Sequence, residues 1–268
     1  MDLPYEILMK ILSYLPNYDI LRRVPVVSKK FHQISQDQHN LRKIDFEFKD
    51  SRYVRNWSEE RKEKYYRDFL EVVEKSHQLK FLSFTFSTKN ADADEKWVPR
   101  PERLFYFLGN LLSFGGITHE HLEEFSLTTN SQKVTQYDSH TRLEYFIEDV
   151  FRYLDKCPKL KIIKLEKIKL DRELISQNKF RSFEGLKKAE FKTLQEFHIT
   201  LFGRFDIVSV KSLLEIISEK PSIQRIFLTV TNPNDISDAF CQVFQEIELK
   251  NKVKIKVKWQ GIDVITIT

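Results

Sequence analysis

The sequence predicts an α/β chain in two parts: a small three-helix unit over residues 1–40, then a strand–helix solenoid with a mostly parallel, curved sheet over residues 41–268. Three observations predict it. Three short apolar-faced stretches, punctuated by prolines, fill the first forty residues. From Leu41 onward one motif recurs: apolar, two residues, apolar, one residue, apolar. Helix-type patterns occupy most of the gaps between its copies.

The first helix follows from Ile7, Leu8, Ile11, Leu12 and Leu15, which share one face at a 3.6-residue period. Asp2 can cap it, and Pro4 sits in the first turn, where a missing N–H costs nothing. Pro16 stops it. Asn17-Tyr18-Asp19 opens a second short helix through Ile20, Leu21 and Val24, ended by Pro25. A third carries Val27, Phe31 and Ile34 at i, i+4 and i+7. Three short helices over about forty residues form a poor core alone, and units this small usually need a metal, disulfides or a partner. No metal-ligand set and no Cys pair lies in this stretch. The physics therefore asks for a partner.

The wording of the same stretch is specific. It runs Leu3-Pro4, Glu6-Ile7-Leu8, Ile11-Leu12-Ser13-Tyr14-Leu15-Pro16, Asp19-Ile20-Leu21 and Val27-Ser28-Lys29-Lys30-Phe31. This resembles the F-box pattern from residue 2 to about residue 40, in register across all three helices. The family often ends on Asp-x-x-Leu-Trp; here Gln38-His39-Asn40-Leu41 follows Asp37, without the Trp. The resemblance implies binding to a Skp-type adaptor and, through it, to cullin and a RING subunit. It carries the adaptor-contacting pattern onto Leu3, Pro4, Ile7, Leu8, Ile11, Leu12, Leu15, Leu21, Val27 and Phe31. A self-contained three-helix cap is the structural alternative.

In the second part the motif reads Leu41-Ile44-Phe46, Leu79-Leu82-Phe84, Leu122-Phe125-Leu127, Leu160-Ile163-Leu165, Leu194-Phe197-Ile199 and Ile223-Ile226-Leu228. Its starts lie 38, 43, 38, 34 and 29 residues apart. Helical spacing appears in Tyr65-Phe69-Val72-Val73, Leu104-Phe107-Leu108-Leu111, Leu143-Phe146-Ile147-Val150-Leu154 and Val208-Leu213-Leu214-Ile216-Ile217. The alternation resembles a divergent leucine-rich repeat, best copied in Cys157-Pro158-Lys159-Leu160-Lys161-Ile162-Ile163-Lys164-Leu165. The Asn or Cys of that family's consensus appears only as Asn130, and the periods exceed the usual length. A compact α/β domain of the kind that follows the F-box in nematode families shares the alternation. At the end, Val253-Ile255-Val257-Trp259 alternates with lysines and Gln260-Gly261 leads into Ile262-Val264-Ile265-Ile267, either a hairpin or one strand plus a tail.

Strands of such a solenoid line one concave face, and residues between the apolar positions point outward on it. These include Glu124, Ser126, Lys164, Glu166, Glu196, His198, Thr200, Arg225, Phe227, Thr229, Lys254 and Lys256. From Lys164 onward they are the candidate substrate-binding residues; a solvated face is the plain alternative. The stretch Lys159, Lys161, Lys164, Lys167, Lys169 and Arg172 is basic and suits an acidic or phosphorylated ligand, or simple solubility.

Composition excludes several classes. Hydrophobic residues make up 41% of 268, which argues against wholesale disorder. There are 6 Gly and no phosphate-cradling glycine loop; Gly115-Gly116 reads as a loop after a helix. Cys157 and Cys241 form no CxxC and no disulfide framework. The start carries no basic and apolar leader, and no run of 18 apolar residues occurs. The expectation is a cytoplasmic or nuclear protein with no membrane partner. Net charge is +5, divided as +1 over residues 1–40 and +4 beyond, too little to demand nucleic acid. His119-Glu120-His121 lacks HExxH spacing, and adjacent residues on a strand or turn face different ways. No nucleophile motif is present. The expected protein is thus a non-catalytic subunit with no cofactor and no metal. It is read as the substrate receptor of a Skp–cullin–F-box ubiquitin ligase, the alternative being an F-box scaffold acting outside a ligase.

Overall fold

The computed structural model describes residues 4, 7–8, 42–49, 58, 60–61, 64, 73–74, 76–87, 118–129, 148–169, 181–202, 207–230, 238–259 and 262–266. The three-helix unit lies almost wholly outside them. So do Leu41, Asn130, Arg172, the Leu104–Leu111 pattern and Gly115-Gly116.

An eight-stranded sheet takes its strands in chain order. They are β1 (Lys43–Lys49), β2 (Phe81–Ser87), β3 (Glu124–Thr129), β4 (Ile162–Lys169), β5 (Glu196–Phe202), β6 (Arg225–Val230), β7 (Lys254–Trp259) and β8 (Ile262–Thr266). Pairing is parallel from β1 to β7, and β8 returns antiparallel on β7. Parallel neighbours require a crossover. Among the described residues, helical segment 148–154 precedes β4, α1 (Arg181–Lys188) precedes β5, α2 (Ile207–Ser218) precedes β6 and α3 (Asp238–Asn251) precedes β7. The arrangement is solenoid-like, and α/β with a mostly parallel sheet is what the sequence predicts.

The repeated motif maps onto register. Its second apolar position pairs across seven strands as Ile44, Leu82, Phe125, Ile163, Phe197, Ile226 and Ile255. From Phe84 to Val257 the third position does the same through Leu127, Leu165, Ile199 and Leu228. All of these are buried in one core with Val150, Phe151, Leu186, Val210, Leu213, Leu214, Ile217, Phe244 and Ile247 from the helical segments. Burying each such side chain stabilises by roughly 1.5–3 kcal/mol. A one-residue slip of any strand would turn its apolar set to solvent, so the pattern itself fixes register.

The motif's first position marks a turn. The N–H groups of Leu79, Leu122, Leu160, Leu194 and Ile223 donate to the carbonyls of Ser76, His119, Cys157, Phe191 and Lys220 at 3.0–3.3 Å. Phe191 stands at φ 45°, a left-handed conformation costly for an aromatic residue. The Asp155 carboxylate holds it there, accepting the N–H groups of Glu190 and Phe191 at 2.8 and 3.0 Å. Thr193 Oγ1 donates to the Leu160 carbonyl at 2.9 Å, and Lys220 Nζ donates to the Lys187 and Ala189 carbonyls. Each turn is thus bonded to its neighbour.

Residues 253–259 were set apart by the sequence pattern, yet β7 is a seventh copy. Ile255 and Val257 fall in the two apolar registers. The motif's first position is Lys252, at φ 57°, and this left-handed step brings Val253 into the core instead. Of the two readings of the chain end, the hairpin is the one found.

Candidate functional site

Because strand side chains alternate, the face away from the helices carries the residues flanking the two apolar registers. Lys43, Phe81, Glu124, Ile162, Glu196, Arg225 and Lys254 pair in succession below them. Asp45, Ser83, Ser126, Lys164, His198, Phe227 and Lys256 form the middle row, between the apolar positions. Thr85, Thr128 and Glu166 lie above on β2 to β4, and Thr200 pairs with Thr229 on β5 and β6. A register shift between Leu165 and Ile168 separates the two upper groups. All ten candidate substrate-binding residues lie on this face.

Five of them touch in one cluster. Glu196 Oε2 meets His198 Nε2 at 3.0 Å, and Glu196 Oε1 accepts a hydrogen bond from Arg225 Nη2. The His198 ring stacks on Phe227 with centroids 4.2 Å apart and planes 14° off parallel. Lys256 Nζ stands 5.8 Å from the Phe227 centroid on the neighbouring strand, a cation over an aromatic face. Lys254 is exposed and pairs in register with Arg225. Lys164 and Glu166 belong instead to β3's neighbourhood. Lys164 Nζ bonds Glu124 Oε1 at 2.5 Å, and Thr128 Oγ1 donates to Glu166 Oε2 at 3.3 Å.

Sequence reasoning missed Lys43, Phe81 and Ile162 on the same face. Lys43 Nζ sits 4.9 Å from the Phe81 centroid, a second cation–aromatic contact. Their signal was present: each precedes the motif's second apolar position by one residue, as Glu196 and Arg225 do.

The basic stretch from Lys159 does not form one patch. Lys159 Nζ donates to His121 Nδ1 at 3.2 Å. Lys161 Nζ pairs with Glu123 at 2.9 Å, while Lys80 holds the other Glu123 oxygen at 3.2 Å. Those two hydrogen bonds, Lys161's first, lower the Glu123 carboxyl below its usual range. Lys164 is on the outward face with Glu124, whereas Lys159 and Lys161 precede β4, in the turn and at its approach.

His119 and His121, two residues apart in a turn, point to different surroundings. His119 is buried: its Nε2 lies 2.8 Å from the Val73 carbonyl and its Nδ1 2.6 Å from the Tyr153 hydroxyl. A carbonyl only accepts, so Nε2 carries the proton and Nδ1 accepts from Tyr153. Burial lowers the His119 pKa, partly opposed by the Val73 bond. Both nitrogens are engaged, which leaves none for a metal. Burial also pushes the neighbouring Cys157 thiol up to about 11, making it a packing group rather than a nucleophile.

Of the residues expected to face an adaptor, Pro4, Ile7 and Leu8 are described. Leu8 N–H donates to the Pro4 carbonyl at 3.1 Å, one helical turn. Leu8 is buried, whereas Ile7 is 47% exposed, the one large hydrophobic so placed among the described residues. Leu3, Ile11, Leu12, Leu15, Leu21, Val27 and Phe31 lie outside the described residues.

Residues 1–47 match the family model described as F-box-like, a stretch that ends within β1. No curated protein and no solved structure matches the chain.

Proposed function

From an amino-terminal segment that is F-box-like over residues 1–47, we propose that the chain is the substrate receptor of a Skp–cullin–F-box ubiquitin ligase. Residues 1–40 dock on a Skp-type adaptor, and through it on cullin and the RING subunit. Residues 41–268, a divergent leucine-rich-repeat-like unit, hold a protein substrate on the outward sheet face. The chain itself is non-catalytic, and the transfer chemistry belongs to its partners in the cytosol or nucleus.

The observation that carries the reading is the family match. The adaptor-facing residues are Leu3, Pro4, Ile7, Leu8, Ile11, Leu12, Leu15, Leu21, Val27 and Phe31. A few large apolar side chains centred in an interface dominate its affinity. For the other half of the function, the outward face supplies an aromatic stack ringed by charge.

Co-purification tests it. The full chain brings down adaptor and cullin, and Leu3→Ala with Pro4→Ala weakens that capture by tenfold or more, about 1.4 kcal/mol. Undiminished capture overturns the adaptor assignment. Recovery of adaptor without cullin would favour a scaffold acting outside a ligase. Affinity purification with ligase activity blocked, read by mass spectrometry, then identifies the substrate.

A further inference from the structure

Charge on the outward face is unevenly divided. Among the described side chains of β3 and β4 it shows Glu124 and Glu166 against Lys164. Among the described side chains of β5 to β7 it shows Arg225, Lys254 and Lys256 against Glu196 alone. Glu196 is already engaged by Arg225 and His198, and its side chain is only 16% exposed. Lys254 and Lys256 are exposed, and among the described residues neither has a carboxylate partner. Beside these cations, on β5 and β6, lies the His198–Phe227 stack, half-buried and open to the same face.

We propose that the β5–β7 end of the outward face docks an extended acidic protein segment with an aromatic or large apolar anchor, the anchor resting on His198 and Phe227 and the acidic side chains on Arg225, Lys254 and Lys256. This rests on the reading of the outward face as the substrate platform and names the class of segment it takes.

Spacing supports an extended segment. Lys254 and Lys256 are two residues apart on one strand, and alternate side chains of a strand stand about 7 Å apart. Alternate carboxylates of an extended peptide have the same repeat, so two can meet both lysines at once. Arg225 lies one strand over, about 4.8 Å away, within reach of a third carboxylate. The aromatic stack offers what charge alone does not, a flat apolar surface from which water is readily displaced. Single-stranded nucleic acid also uses cations with aromatics, but it draws its affinity from many neutralised phosphates. Three cations beside Glu196, with Glu166 on the adjoining strand and Glu124 on the one beyond it, favour a short acidic peptide over a polyanion.

The test measures fluorescence anisotropy of the full chain with a short labelled peptide of glutamates flanking one tryptophan. Companion peptides carry glutamine for glutamate, or alanine for tryptophan, and a labelled oligo-dT serves as competitor. The acidic tryptophan peptide should bind, weaken as salt is raised, and exceed both companions. The pair Lys254→Gln and Lys256→Gln should lower its affinity about tenfold or more, the loss expected of charge-assisted bonds. Phe227→Leu should reduce the preference for tryptophan, and Lys188→Gln on α1 should change nothing. Circular dichroism checks that each variant is folded.

Equal binding of the glutamine peptide, no effect of the paired lysine change, no binding of any peptide, or tighter binding of oligo-dT each overturns the proposal. The platform reading fails separately. If the glutamine peptide binds and Phe227→Ala removes it, the face still binds protein and only the acidic class is wrong. If no peptide binds and these variants capture the same cellular proteins as the parent chain, the platform reading falls too.

Discussion

His119 shows how a residue that invites a functional reading becomes structural once its partners are known. The His-Glu-His sequence is the densest histidine group but lacks metal-ligand spacing, and the His119 ring bridges the Val73 carbonyl and the Tyr153 hydroxyl inside the core. Tyr153 is fully buried, and burial raises its pKa well above the ordinary value, so it stays a neutral donor. Protonating His119 would put a second proton on Nδ1, deprive the Tyr153 hydroxyl of its acceptor and place a charge in the core, near His77 as well. The folded-state pKa therefore lies below the ordinary 6.5. Between the two values the unfolded chain takes up a proton that the folded chain refuses. Stability from this site is whole above pH 6.5 and declines as pH falls below it, by at most about 1.4 kcal/mol per pH unit. Urea unfolding across pH 7.5 to 5 would show it. His119→Leu should be less stable at neutral pH, since it orphans a buried hydroxyl worth roughly 1–3 kcal/mol. It should also lose stability less steeply on acidification. Parallel pH curves for parent and variant would rule the account out.

At the scale of elements, packing between neighbouring helices sets a tight steric limit at Gly185 in α1. A Cβ there would lie 3.0 Å from Glu148 Cγ, 3.0 Å from the Glu148 carbonyl and 3.2 Å from its Cα. Two of these are backbone atoms and cannot swing aside. Gly185→Ala should therefore destabilise by about 1–3 kcal/mol, against the usual gain of Ala over Gly in a helix. Thermal unfolding that shows a rise in midpoint would contradict this. The strands were legible in sequence because every copy obeys the same two apolar positions, and parallel in-register pairing superimposes them. The α2 helix was legible too, through Leu213, Leu214 and Ile217. β7 was not recognised as a copy because Lys252 occupies the first apolar position, and only its left-handed backbone brings Val253 inward. Phe151 and Tyr153 went untraced although, with Val150 and Leu154, they fall at i, i+1, i+3 and i+4 and complete one buried face, opposite exposed Arg152. Alternation within a strand placed all ten outward residues correctly. It could not pair Glu196 with Arg225 or His198 with Phe227, because those contacts depend on which strand lies beside which.

For the whole molecule, sequential strand order has a mechanical consequence. Each strand of the sheet bonds to the strands before and after it in the chain, and the turns are stitched to neighbouring turns in the same order. Stability in such arrays is close to a sum of unit and nearest-neighbour terms, so a change at an end and a change in the middle differ in effect. Removing residues 1–40 takes away the proposed adaptor-binding segment and leaves β1 to β8 whole, since β1 begins at Lys43. The 41–268 fragment should keep its α/β circular dichroism and cooperative unfolding, retain the acidic-peptide affinity, and lose adaptor capture altogether. Phe197→Ala is the opposite case. Phe197 is fully buried in β5, with its ring 6.5 Å from that of Phe151, and β5 joins β4 to β6. Its truncation should cost about 3–5 kcal/mol, a large part of what a domain has to lose. Hydrogen exchange should report it on both flanks, with amides of β4 and β6 losing protection and those of β1 changing least. If the 41–268 fragment were unfolded, or if Phe197→Ala loosened β1 as much as β4 and β6, the array would be one cooperative block rather than a chain of neighbours.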